Sequence, residues 1–137
     1  MNRFLFVLLV GLGKAVAQPT PPEPAQLILY REKEFISRKA YLFTINGQGM
    51  GKLSPNRFVQ LFIPAGRVKL EFRNDYFTDS RPLVMQVQAG QTYYIKAVLE
   101  IDFLKAMMLM EPVEPTKALQ ELHRMKPEVA PQRQPPD

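Results

Sequence analysis

Apolar residues recur at every second position through the middle of this chain, and glycine or proline interrupts the pattern at short intervals. Period two is the repeat of a strand that puts one face into a core. Together with the frequent breaks it implies an all-β sandwich rather than a helical or α/β domain. About seven strands are predicted. Gln26 to Tyr30 is the first, and Lys39 to Asn46 the second, with Tyr41, Phe43 and Ile45 on one face and Leu42 and Thr44 on the other. Asn46-Gly47 is a tight-turn pair, because both residues tolerate positive φ, and Gly49 and Gly51 beside it imply added flexibility or a bulge. Arg57 to Ile63 has apolar side chains on both faces and reads as a central strand, ended by Pro64-Ala65-Gly66. Val68 to Arg73 has one apolar and one charged face, as a strand with one side in water does. A polar loop from Asn74 to Pro82 follows, and Leu83 to Gln88, Thr92 to Leu99 and Ala106 to Val113 complete the set.

Beyond Pro115 the period changes. Between Thr116 and Lys126, Ala118, Leu119, Leu122 and Met125 fall in one helical stripe, and Pro115 suits a first helical turn. A short C-terminal helix packed on the sandwich is expected, the alternative being a stripe that docks a partner. Eight of the thirteen prolines lie in two flanks, Pro19 to Pro24 and Pro127 to Pro136. Such segments have too little apolar surface to offset the entropy of ordering. The division is therefore a proline-rich linker at 18–25, a folded domain at 26–126 and a disordered proline-rich tail at 127–137, acting as a spacer.

At the N-terminus Arg3 precedes the apolar run Phe4 to Val10, and Ala15-Val16-Ala17 supplies a small-residue cleavage site. That order identifies residues 1–17 as a secretory signal peptide, with the mature chain starting at Gln18. The run is about half of the roughly 20 apolar residues a membrane-crossing helix needs, so no transmembrane span is expected after cleavage. The expected location is periplasmic or secreted, in a bacterium. Zero cysteines exclude lipid attachment, disulfides and thiolate chemistry, and a single histidine excludes a metal site with two imidazoles. At 137 residues and a net charge of +5, the chain holds one small domain with a mild basic excess.

Three segments carry a family resemblance: Thr44-Ile45-Asn46-Gly47 with Gly51-Lys52-Leu53, then Phe58 to Ile63 with Pro64-Ala65-Gly66, then Ala89-Gly90-Gln91-Thr92-Tyr93-Tyr94-Ile95. In that order they resemble the bacterial domain of unknown function 2846 family, and the hairpin and Pro-x-Gly turn are similar to those of PEGA domains. The resemblance implies a prealbumin-like or carboxypeptidase-regulatory-like sandwich and an envelope location. It implies no reaction and no catalytic residues. Many members carry a lipid-attachment cysteine, which this chain lacks.

Candidate chemistry is sparse. His123 has no local orienting partner for general-base work, and Ser37, Ser54 and Ser80 lie outside nucleophile motifs. Asp75, Asp79 and Asp102 could pair with distant glutamates, but Asn74 to Ser80 lacks the spacing of a calcium loop. Met107, Met108 and Met110 suit copper(I) by ligand type, yet neighbours on a strand point to opposite faces, so core filling is the reading preferred. Arg31, Lys33, Arg38 and Lys39 mix with Glu32 and Glu34 as a solvated charged face does, the alternative being attraction to anionic envelope polymers or lipid headgroups. Tyr30, Tyr93 and Tyr94 read as core or sheet-covering aromatics rather than a sugar platform. The best ligand-contact candidates are Arg73, Tyr76, Phe77 and Arg81, where exposed aromatics would stand between two bases.

No catalytic residue, cofactor or metal is expected. The functional expectation is a non-catalytic envelope module that binds a partner protein or a cell-wall polymer, with no nucleic-acid role. The alternatives are an accessory hydrolase using scattered carboxylates and a structural spacer in an envelope complex. The oligomeric state is left open.

Overall fold

In the computed structural model, residues 23–35 and 37–128 are described; the expected signal peptide, residues 18–22 of the linker and the tail from 129 onward lie outside them. Among the described residues the alternating segments become ten strands in two sheets, with one helix, so the domain is an all-β sandwich. The strands are β1 (Ala25–Arg31), β2 (Tyr41–Ile45), β3 (Gln48–Leu53), β4 (Arg57–Ile63), β5 (Gly66–Phe72), β6 (Thr78–Ser80), β7 (Leu83–Val87), β8 (Thr92–Asp102), β9 (Lys105–Val113) and β10 (Lys126–Pro127). Helix α1 (Pro115–Leu122) lies between the last two. One sheet has the order β10-β4-β1-β8-β9-β6 and the other β3-β2-β5-β7.

The core is the interdigitation of the two inner faces. Leu27, Leu29, Ile63, Ile95, Ala97 and Met108 come from the six-stranded sheet, and Tyr41, Phe43, Ile45, Leu53, Val68, Leu70, Phe72 and Val87 from the other. Each large apolar side chain removed from water this way contributes about 1.5–3 kcal/mol. Phe43 and Phe72 are direct cross-strand partners with ring centroids 6.0 Å apart. The charged face expected for β5 is there too, with Lys69 and Glu71 facing out between buried Val68, Leu70 and Phe72.

Asn46-Gly47 forms the expected hairpin, at φ 50° and 84°, and the register slips between Phe43 and Thr44 because Met50 is an extra residue on β3. The glycines beside the turn thus serve the expected bulge, inside β3, a strand beyond the predicted seven. β6 is a second addition, inside the segment read as a loop, and pairs parallel to β9 through Thr78, Asp79 and Ser80. The third is β10, where Lys126 and Pro127 pair with Arg57 and Phe58.

The central-strand reading of Arg57 to Ile63 is corrected. β4 has β1 along its whole length on one side but only the two residues of β10 on the other. Val59, Leu61 and Ile63 face the core, while the alternate positions face away from the second sheet and Phe62 stands exposed. The true centre is β1, flanked by antiparallel β4 and parallel β8, with Gln26 opposite Thr92.

Helix α1 starts where expected: Pro115 occupies the first turn and the Glu114 side chain accepts a hydrogen bond from the Lys117 amide at 2.8 Å. Glu121 sets its rotation. One carboxylate oxygen accepts from the Tyr30 hydroxyl at 2.6 Å and the other from the Lys96 ammonium at 3.0 Å, so Ala118 and Glu121 face the sheet. Leu119, expected in the packed stripe, is instead 55% exposed. No helix among the described residues is long and apolar enough to cross a membrane.

Candidate functional site

Four connections converge at one end of the sandwich. β1 ends at Arg31, opposite the start of β4, while parallel β8 passes that level at Ala97 and runs on to Asp102. β2 begins at Tyr41 opposite Leu53, and the segment after β5 is tied to it by a bond from the Arg73 amide to the Leu42 carbonyl, 2.8 Å. The β1–β2, β3–β4, β5–β6 and β8–β9 connections thus share this end.

Arg31 organises it. The alternation of β1 turns this residue inward, and its side chain is fully buried rather than part of a solvated face. The correction has a physical cause, since four of the five N–H donors of the fork are hydrogen-bonded. Nη1 donates to the carbonyls of Lys39 (2.9 Å) and Leu53 (3.0 Å), while Nη2 and Nε donate to the two oxygens of Glu34 at 2.9 and 3.2 Å. The guanidinium also lies 5.2 Å from the Tyr41 ring centroid. A buried charge is tolerable only with pairing this complete.

Asp75 fixes the next connection. Its Oδ1 accepts from the amides of Phe77 (2.9 Å) and Thr78 (2.8 Å), and its other oxygen pairs with the Lys39 ammonium. The bond from Lys39 holds the Asp75 carboxyl below the usual carboxylate range, assisted by the two amides and opposed by burial. The same bond raises the Lys39 ammonium. Thr78 is buried with its hydroxyl 3.1 Å from that of Tyr41. Pinned at its base, the segment presents Tyr76 and Phe77 outward, 88% and 65% exposed, with their rings edge to face at 4.7 Å.

The β8–β9 hairpin adds a second pair. Asp102 and Lys105 are cross-strand partners, so Phe103 and Leu104 form a two-residue loop, and they are 95% and 89% exposed. Phe103 sits at φ 53°, a conformation that such loops normally give to glycine or asparagine. A bond from the Ala106 amide to the Phe77 carbonyl, 3.0 Å, joins this hairpin to the Tyr76-Phe77 segment.

Of the four candidate residues, Tyr76 and Phe77 lie together and exposed, Arg73 opens the same connection, and all three share its loop. Arg81 lies apart, beyond β6, in a cavity of about 330 Å³ with Glu100, Asp102 and Lys105. Phe103 and Leu104 were missed, because apolar residues beside a methionine-rich strand read as core. The available signal was their position between Asp102 and Lys105, a polar pair that stops the alternation.

The other candidates disperse. Tyr30 lies buried beneath α1, Tyr93 is on the opposite face of the sheet from Tyr94, and its hydroxyl accepts from the Gln88 amide at 2.8 Å. Burial and the bond to Glu121 push the Tyr30 phenol well above its usual value. Burial pulls Lys96 down, but Glu121 and Glu32 outweigh it and leave the ammonium raised. Glu121 is likewise pushed up by burial and brought below the carboxylate range by Tyr30 and Lys96. This cluster anchors the helix. Met108 is buried and Met110 packs on the core, whereas Met107 lines the Arg81 cavity, so the sulfurs are on two faces. His123 is exposed at the helix end. Among the described residues no three metal-ligating side chains cluster.

Compared with known proteins, the chain matches no family model, no curated protein and no solved structure. The likeness to the domain of unknown function 2846 family rests on its turn and strand residues alone.

Proposed function

We propose that this chain is an exported, non-catalytic module of the bacterial envelope that binds a partner protein through the loop end of its sandwich. The observation that carries the reading is the pairing of Phe103 and Leu104 with Tyr76 and Phe77, four large apolar side chains exposed on adjoined connections. Burying each would contribute about 2 kcal/mol, enough in sum to offset much of the entropy lost in association. A wall polymer, being hydrophilic, would use less of that surface. Arg73, on the same connection as Tyr76 and Phe77, forms no ion pair among the described residues, which favours a partner face combining apolar and acidic side chains.

A hydrolase is less well supported. Glu100 and Asp102 do share a cavity, but they are exposed and accompanied by Arg81 and Lys105, whereas a general acid needs a carboxyl shielded from water and cations. The export half of the reading rests on residues 1–17.

The test is expression with the native leader, fractionation and mass measurement of the mature N-terminus, followed by site-specific photocrosslinking at Phe103 and, as a control, at Val84 on the outer face of β7. A periplasmic chain beginning at Gln18 whose Phe103 probe captures one defined protein, lost on Tyr76→Ser/Phe77→Ser, is the expected result. Retention in the cytoplasm refutes export, and equal capture at both probe sites refutes the docking end.

A further inference from the structure

Beside the apolar loops, the same end holds a cleft of about 610 Å³ between the β1–β2 connection and the β3–β4 turn. Four cations line it: Lys33, Arg38, Lys52 and Arg57. None of them pairs with a carboxylate among the described residues. Two acids are present, and both are already engaged. Glu34 gives its two oxygens to buried Arg31, and Glu128 gives one oxygen to the Ser54 amide at 2.8 Å and the other to the Ser54 hydroxyl at 3.2 Å. Glu34 is neutralised by Arg31, whereas Glu128, held by neutral donors, keeps its charge, so four cations face one uncompensated carboxylate and the lining stays net positive, an arrangement in which an incoming anion relieves the mutual repulsion of the cations.

We infer that this cleft is a binding site for a phosphate-bearing ligand. The Arg38 fork can grip two oxygens of one phosphate, Arg57, whose Nη1 also donates to the Asn56 carbonyl at 3.1 Å, adds further donors, and two ammonium groups add point charges around it. The carboxylate of an ordinary metabolite would leave half of those donors idle. The rigid part of the site is already in place. Arg31 locks the carbonyls of Lys39 and Leu53, one on each wall, and its own carbonyl accepts from the Asn56 amide at 2.8 Å. Phe35, 92% exposed at the margin, offers an apolar face to whatever carries the phosphate. The site is separate from the Tyr76 and Phe103 pairs, so it extends the proposed function without depending on it.

The experiment is an NMR titration of the chain, as recovered from the expression host, with pyrophosphate at physiological ionic strength. Saturable shifts confined to the amides of residues 33–39 and 52–57, half-complete below about 1 mM, are expected. Arg38→Gln/Arg57→Gln should weaken the affinity at least about tenfold, and Lys33→Gln/Lys52→Gln, both exposed where Arg57 is half-buried, provides the same test if the first pair unfolds. Phe103→Ser, which touches only the proposed protein-docking patch, should leave the titration unchanged. Vesicles of phosphatidylglycerol in phosphatidylcholine supply the second arm. Sedimentation with them that pyrophosphate reverses assigns a lipid headgroup, and binding of pyrophosphate alone assigns a soluble phosphate. No saturation up to about 10 mM, or shifts spread equally over Arg67, Lys69 and Lys117, would overturn the inference.

Discussion

Replacing Arg31 with methionine keeps much of the side-chain length but removes the guanidinium. The buried Leu53 carbonyl then loses its donor at 3.0 Å, the Lys39 carbonyl its donor at 2.9 Å, and Glu34, only 17% exposed, both of its bonds. Each orphaned acceptor costs about 1–3 kcal/mol, partly recovered by water at the loop side, and one-sided removal of a buried ion pair costs about 3–5 kcal/mol. Since these overlap, about 4 kcal/mol is expected in all. Against the roughly 5–15 kcal/mol that holds a domain of this size together, that is a large share, and it corresponds to a fall in melting midpoint of about 15–30 °C. Urea unfolding followed by circular dichroism measures it, with Arg31→Lys expected in between because an ammonium cannot serve both carbonyls and both carboxylate oxygens. A methionine variant within about 1 kcal/mol of the parent would refute the claim that this residue is a structural keystone.

Two further perturbations test neighbouring parts. The Glu121 carboxyl has a folded pKa below its ordinary 4.5, so its stabilising contribution is complete above that value and disappears as pH falls through the lowered one. Lys96 and Tyr30 are raised, so their contributions are complete below 10.5 and 10.0 and fade as pH climbs beyond. Glu121→Gln should cost about 2 kcal/mol at neutral pH and flatten the acid limb of the stability profile; a profile superimposable on the parent's would count against the helix anchor. Asp75→Ala should cost at most about 1 kcal/mol globally yet raise hydrogen exchange at the Phe77 and Thr78 amides, whereas unchanged protection there would mean the carboxylate does not hold the loop.

The parts legible in the sequence are those governed by repeated local signals. Alternation located seven strands, Asn46-Gly47 located the hairpin and Pro115 the helix start. What escaped depends on long-range partners. β6 has three residues and exists because Thr78 reaches Tyr41 and β9, and β10 has two, held against β4. Arg31 looked like one charge among several until strand parity and Glu34 brought it inside. Of the candidate site, Tyr76 and Phe77 were readable as aromatics in a polar loop. Phe103 and Leu104 were not, because nothing in their own chemistry separates a core residue from an exposed hairpin tip.

The most central strand is the first of the ten to be made, and it waits for the eighth to close its second edge. β1 lies between β4 and β8, and its bond partners at Thr92 and Gln26 are 66 positions apart. A chain emerging from a ribosome or a translocase with its N-terminus leading would present β1 long before β8 exists. Until Ala97 has emerged, the most central strand of the domain has one open edge, although the second sheet that covers its inward positions has already been made. Closure by so distant a contact is slow compared with forming the β2–β3 hairpin. Completion of the six-stranded sheet is thereby deferred until β8 has been made, which makes the open edge of β1 the part of the nascent chain most exposed to mispairing.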